Sequence, residues 1–123
     1  MKNEIIVDKN PKSSVAEAIR IIRTNIEFSG VDKRVQTLLV TSSVPSEGKS
    51  FISANLATAF AQNGSKVLLI DCDLRKGRLH KMFDIDNEKG LSHLLLNNVE
   101  VEFKNYVQKT EIDNLFVLPK GIV

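Results

Sequence analysis

Residues 43–50 read Ser43-Val44-Pro45-Ser46-Glu47-Gly48-Lys49-Ser50. The last three match the end of the phosphate-binding pattern G-x-x-x-x-G-K-[ST], while Ser43 stands where the pattern has its first glycine. In such a loop the backbone N–H groups converge on phosphate oxygens, and the helix that follows adds partial positive charge. Gly48 permits close backbone approach. Lys49 is placed to reach the β- and γ-phosphates of ATP, and the Ser50 hydroxyl to ligate Mg²⁺. A second charged element, Asp71-Cys72-Asp73-Leu74-Arg75, follows an apolar run. Its carboxylates can approach a metal ion and a nucleophile, and Arg75 can neutralise phosphate charge. Read blandly, it is a polar turn after a strand.

Both elements need a scaffold that brings them together. Gln36-Thr37-Leu38-Leu39-Val40-Thr41 reads as a buried strand, with the loop after it and a helix from about Lys49 to the stop signal Asn63-Gly64. Residues 66–71 read as a second strand, apolar enough to be covered on both faces of a parallel sheet. Strand, helix and strand form a βαβ unit, and ligands of such sheets sit beyond the carboxyl ends of the strands. Upstream, residues 1–12 read as an extended lead-in to a domain spanning 13–123. Ser13 or Ser14 can cap a helix running to about Phe28, and Ser14 with Glu17 has the spacing of a capping box. Val15, Ile19, Ile22 and Ile26 recur at helical spacing and predict its buried stripe. Downstream, helical pieces are expected near 76–83, 91–96 and 99–108, and a third strand at 115–119.

Composition narrows the function classes. The chain has 123 residues, 42% hydrophobic and 26% charged, with a formal net charge of +2. That charge is too small to argue for nucleic acid, and no aromatic-basic surface is visible. The single cysteine, Cys72, excludes an intrachain disulfide. His80 and His93 have no metal-ligand spacing to other residues and read as surface histidines. No apolar run is long enough to span a membrane, and the N-terminus lacks the pattern of a secretory signal, which predicts a cytoplasmic protein.

These motifs, in this order, resemble the bacterial tyrosine kinases of capsular and exopolysaccharide synthesis. That family belongs to the deviant P-loop ATPases, with the septum-site and plasmid-partition ATPases. The resemblance rests on the helix Glu17-Ala18-Ile19-Arg20-Ile21-Ile22-Arg23, on residues 41–50, and on residues 67–76, which match the family's second acidic box. It implies an α/β P-loop NTPase-type three-layer fold with a mainly parallel sheet. It also implies ATP and Mg²⁺ held by residues 43–51 (Phe51 included) and by Arg75. Lys49, Asp71 and Asp73 are the implied catalytic groups: Asp71 as the base for the tyrosine hydroxyl, and Ser50, Asp71 and Asp73 at the metal. Glu17, Arg20 and Arg23 match residues that join subunits into a ring. The implied partners are protein tyrosine substrates and the cytosolic tail of a membrane-bound activator (a polysaccharide co-polymerase), which would hold the protein at the inner face of the membrane. Partition ATPases carry a signature lysine where this chain has Val44, so the resemblance leans toward kinase. A partition-type ATPase and a non-enzymatic nucleotide-binding fragment stay open as alternatives.

The sequence departs from the family in two places. No hydrophobic strand ending in a Walker B aspartate follows residue 119, and the only tyrosine is Tyr106 rather than a C-terminal cluster. The resemblance is therefore to an N-terminal portion of the kinase domain. The expectation is a chain truncated before the Walker B strand, poorly soluble or partly folded and without kinase activity alone.

Overall fold

The computed structural model describes residues 4–30, 34–41, 48–96 and 103–122. The elements are α1 (Ile6–Lys9), α2 (Ser14–Ser29), α3 (Lys49–Gln62), β1 (Val67–Ile70), α4 (Leu79–Met82), α5 (Leu91–Leu96), a 3₁₀ turn (Phe103–Asn105), β2 (Gln108–Lys109) and β3 (Leu115–Leu118).

Helix α3 organises the fold because its sequence is small and apolar all round. Ala54, Ala57 and Ala61 face a core shared with Val67, Leu69, Leu115 and Val117 of the sheet. Leu56 and Ala59 face a second core with Val7, Ala16 and Ile19 of α1 and α2. Alanine lets backbones approach closely on both sides, so one helix serves two cores. The helix ends at Asn63, and Gly64 follows with φ +96°.

The sheet order is β1-β3-β2. β1 and β3 are parallel, with Val67 opposite Leu115 and Ile70 opposite Leu118. β2 is antiparallel to β3, so the sheet is mixed. The strands expected at 66–71 and 115–119 are present. The cover expected on both faces of β1 is not: Leu68 is 38% exposed and Ile70 42%.

Several expectations are corrected. Residues 36–41 form no strand; they have no regular secondary structure and are mostly exposed, Leu39 by 85%. A strand needs a partner for its N–H and C=O groups, and among the described residues none lies beside this segment in the sheet. The lead-in is not extended throughout: Ile6–Lys9 make a helical turn, and Val7 is fully buried. The α2 cap is Ser13, whose hydroxyl accepts from Ala16 N–H at 3.1 Å. Glu17 instead pairs with Arg20 at 3.1 Å, so the capping box does not form. The buried stripe of α2 starts at Ala16 and Ile19, while Val15 and Ile22 are 43% and 40% exposed. The helix expected at 99–108 is in its described part a 3₁₀ turn followed by β2.

Candidate functional site

The two chemical elements lie toward the same end of the α3–β1 hairpin. α3 leads through a short turn into β1 and packs against it through Ala54, Ala57 and Ala61. The chain doubles back, so the start of α3 and the end of β1 lie at the same end. Gly48-Lys49-Ser50 is therefore on the side of the sheet end that carries Asp71, as a strand–helix–strand unit requires.

The opening of α3 is built for an anion. Gly48 is the N-cap, in the left-handed region with φ +81° and ψ 18°. No described residue lies within 4 Å of where its Cβ would be, and the left-handed backbone conformation by itself calls for glycine. Among the described residues no side chain caps the helix, and no acid sits in its first turn. In α2, by contrast, Ser13 closes the N-terminus and Glu17 supplies the charge. An uncapped helix start carrying a lysine suits phosphate oxygens, since the first-turn N–H groups have no partner in the helix. Lys49, Ser50 and Phe51 are half-buried. Ser43, Val44, Pro45, Ser46 and Glu47 lie outside the described residues.

Asp71 is buried, 5% exposed. Its Oδ1 accepts from Asp73 N–H at 3.2 Å and its Oδ2 from Leu79 N–H at 3.2 Å. Burial raises its pKa above the ordinary 3.8; the Leu79 and Asp73 N–H groups and His80 oppose the rise, and the Asp73 charge adds to it. A buried carboxylate held this way is a better proton acceptor than an exposed one. Asp73 Oδ1 accepts from Lys76 N–H at 3.0 Å, and its carbonyl accepts from Gly77 N–H at 2.8 Å. The acidic element is thus a tight turn whose carboxylates tie down their own backbone. Arg75 and Cys72 are exposed on it. Among the described residues no three His, Cys, Asp or Glu side chains cluster as a metal site. The metal oxygens available here are the Ser50 hydroxyl and the carboxylate edges of Asp71 and Asp73, a hard-oxygen set that fits Mg²⁺ with water completing its shell.

Sequence reasoning missed two supports of this end. A Cβ on Gly77 would fall on both Asp71 carboxylate oxygens, so glycine there leaves room for the carboxylate. The signal was only a glycine after two basic residues. Asn55 is fully buried in α3. Its Oδ1 accepts from Val7 N–H at 3.1 Å, and its Nδ2 donates to the Glu4 and Phe51 carbonyls at 2.9 Å each. Glu4 in turn pairs with Arg78 at 3.0 Å, linking the N-terminal segment to the acidic turn. An asparagine among alanines was the visible hint.

The histidines are not plain surface residues. His93 Nδ1 accepts from Gly90 N–H at 3.2 Å. His80 is half-buried, with its pKa lowered from 6.5 by burial first and then by Lys120 and Lys81, against the pull of Asp71. The expected interface triad is split. Glu17 and Arg20 pair on an exposed face, whereas Arg23 turns toward α3, donating to the Ala59 carbonyl at 3.4 Å and lying 3.3 Å from Glu27.

Residues 38–119 match the family model described as the CobQ/CobB/MinD/ParA nucleotide binding domain. The chain belongs to this family. Within it, the chain is 46% identical over 121 residues to the tyrosine-protein kinase YwqD of Bacillus subtilis, covering 98% of this chain and 50% of that protein. Among solved structures it resembles the chimerical protein CapA2B2 with a TM-score of 0.89 and 44% identity, over 98% of this chain and 52% of the other. The kinase domain of the Escherichia coli tyrosine kinase ETK is similar at a TM-score of 0.88 and 35% identity, over 97% of this chain and 46% of that domain. The chain spans about half the length of these relatives. The nucleotide-binding family, the α/β fold and the likeness to bacterial tyrosine kinases agree with the sequence reading. No helix among the described residues is long and apolar enough to cross a membrane.

Proposed function

We propose that this chain is the phosphate-binding part of an ATP-dependent, autophosphorylating protein tyrosine kinase that regulates capsular or exopolysaccharide synthesis. The observation that carries the reading is the uncapped, glycine-started α3 with Lys49 and Ser50 in its first turn, at the same end of the fold as the buried Asp71. Lys49 and the first-turn N–H groups hold the phosphates, and Arg75 adds charge from the facing turn. Asp71, with its raised proton affinity, takes the proton of the tyrosine hydroxyl. Ser50 and Asp73 hold Mg²⁺ and its water shell. Mg²⁺, when bound, neutralises charge on the phosphates. The exposed Glu17 and the half-buried Arg20 are the residues through which copies of the kinase meet, and the cytosolic tail of a membrane-bound activator is the expected regulatory partner.

A second reading, nucleotide binding without transfer, is favoured by one observation: residues 36–41, which lead into the loop, are exposed rather than set in the sheet. Calorimetry with Mg-ATP on the chain and on Lys49→Ala separates the possibilities. The parent is expected to bind and the variant to show no measurable binding, because the charge facing the β- and γ-phosphates is gone. Equal affinity would remove the phosphate-site assignment. Binding by the parent, with no phosphotyrosine formed even when the chain is extended to the length of its relatives, would leave the second reading.

A further inference from the structure

The start of α3 and the turn that holds Asp71 belong to different elements. Among the described residues no hydrogen bond runs directly from one to the other. Residues 4–7 lie against both. On the α3 side, Asn55 Nδ2 donates to the Glu4 carbonyl and to the Phe51 carbonyl, each at 2.9 Å, and Val7 N–H donates to Asn55 Oδ1 at 3.1 Å. Phe51 follows Ser50 in the first turn of the helix.

On the other side, Glu4 Oε1 lies 3.0 Å from Arg78 Nη2. Arg78 stands between the two residues that shape the place of the Asp71 carboxylate. A Cβ on Gly77 would fall on that carboxylate, and Leu79 N–H donates to its Oδ2 at 3.2 Å. Ile5 is buried with Leu79, Met82 and Phe83. One short stretch of backbone is therefore gripped at once by the helix that opens at Lys49 and by the turn around Asp71. A chain of four residues has a fixed reach. The two elements cannot change their spacing without breaking either the Asn55 contacts or the Arg78 pair. Groups that must transfer a phosphoryl group are sensitive to such spacing on the ångström scale.

We infer that residues 4–7 are a positioning brace of the candidate site: Glu4, tied to α3 by its carbonyl and to the acidic turn by its side chain, fixes the spacing between Lys49-Ser50 and Asp71. Glu4 touches no reacting atom; it is a positioning residue, and Arg78 is its partner. The inference rests on the reading of these two elements as one phosphoryl-transfer site, and adds what keeps them in register.

A distance measurement tests the brace. Cys72 is the single cysteine and is exposed in the acidic turn, so one nitroxide label goes there. A second goes on Ser53→Cys, early in α3, or, as a control within the sheet, on Lys109→Cys in β2. Glu4→Gln keeps the carbonyl that Asn55 uses and removes the charge that faces Arg78. Electron–electron resonance is expected to show a narrow 72–53 distance distribution in the parent and a broader one in Glu4→Gln and in Arg78→Gln. The exchanged pair, Glu4→Arg with Arg78→Glu, is expected to narrow it again, while the 72–109 distribution stays the same throughout. An unchanged 72–53 distribution would overturn the brace. So would equal broadening of both pairs, which marks general loosening, or a charge exchange that restores nothing. The chemical consequence is read on the chain extended to the length of its relatives. There Glu4→Gln is expected to lower kcat for tyrosine phosphorylation by about tenfold with KM for ATP little changed, because lost positioning acts on the transition state. An unchanged kcat beside a broadened distribution would overturn the positioning role. An extended parent that forms no phosphotyrosine would instead strike the transfer reading, and the distance distributions would still decide the brace.

Discussion

Two apolar runs of similar composition end up in opposite states. Val67–Ile70 is a paired strand in register with Leu115–Leu118. Residues 36–41 stay irregular and mostly exposed, although Leu38-Leu39-Val40 is as strand-prone as Leu68-Leu69-Ile70. Local propensity does not separate them. The first run has a partner strand in the chain and α3 against one face; the second borders α3 and has no strand beside it among the described residues. A strand is thus a property of pairs of segments, and a strong run without a pair remains an unfilled place in the sheet.

The widest gap between the regions should appear in stability. Leu115 is fully buried in the sheet core, so Leu115→Ala is expected to cost about 2–5 kcal/mol. Leu39→Ala, at a residue 85% exposed, should stay within about 0.5 kcal/mol. Urea unfolding of both variants measures this. A cost at Leu39 approaching that at Leu115 would mean that the segment is packed in solution, and the contrast would collapse.

A smaller effect sharpens the comparison on the ordered side. Asn55 ties Val7, Glu4 and Phe51 to α3. Asn55→Ala leaves buried backbone groups without partners, at about 1–3 kcal/mol. Hydrogen exchange at the Val7 amide should rise with it, while exchange across residues 36–41 is unchanged. Faster exchange there as well would show that the two regions are coupled.

The smallest effect is a pH slope. Burial, Lys120 and Lys81 lower the pKa of His80 from 6.5 in the folded chain. The unfolded state then binds more protons between the folded pKa and 6.5, so stability is full above 6.5 and is lost as pH falls through the folded value. Asp71 works in the opposite sense: its raised folded pKa gives stability that is present below 3.8 and lost as pH rises through the folded value. Urea midpoints between about pH 8 and about pH 5 should fall less steeply for His80→Gln than for the parent. An identical slope would place His80 in water rather than beside Asp71.

Much of the site was legible because its signals are local. The helix that opens at Lys49 and stops before Gly64, the strands at 67–70 and 115–118, and the acidic turn after β1 were all readable from spacing and turn residues. The stripe of α2 was half right: Ile19 and Ile26 pack in the core as expected, while Val15 and Ile22 give way to their neighbours. Val15 and Ile22 fit the helical period as well as Ala16 and Arg23 do. The Ala-rich surface of α3 comes close enough to prefer the small Ala16, with the Arg23 stem laid alongside and its charge on the Ala59 carbonyl and Glu27. The same choice took Arg23 out of the exposed pair Glu17–Arg20. The turn of α1 and the short β2 carried too few residues to leave a periodic signal.

What the sequence determined alone is what a segment can settle within itself. A helix closes its hydrogen bonds between neighbours four residues apart, so its start at Gly48-Lys49-Ser50 and its end at Asn63-Gly64 follow from nearby residue types. Tertiary structure decided the rest: which apolar run became a strand, which way Arg23 turned, and how Asp71 is held. It also gave Asn55 its partners, Val7 lying 48 positions away and Glu4 lying 51. Strand pairing and the satisfaction of buried polar groups join residues distant in the chain, and no local pattern encodes the partner's position.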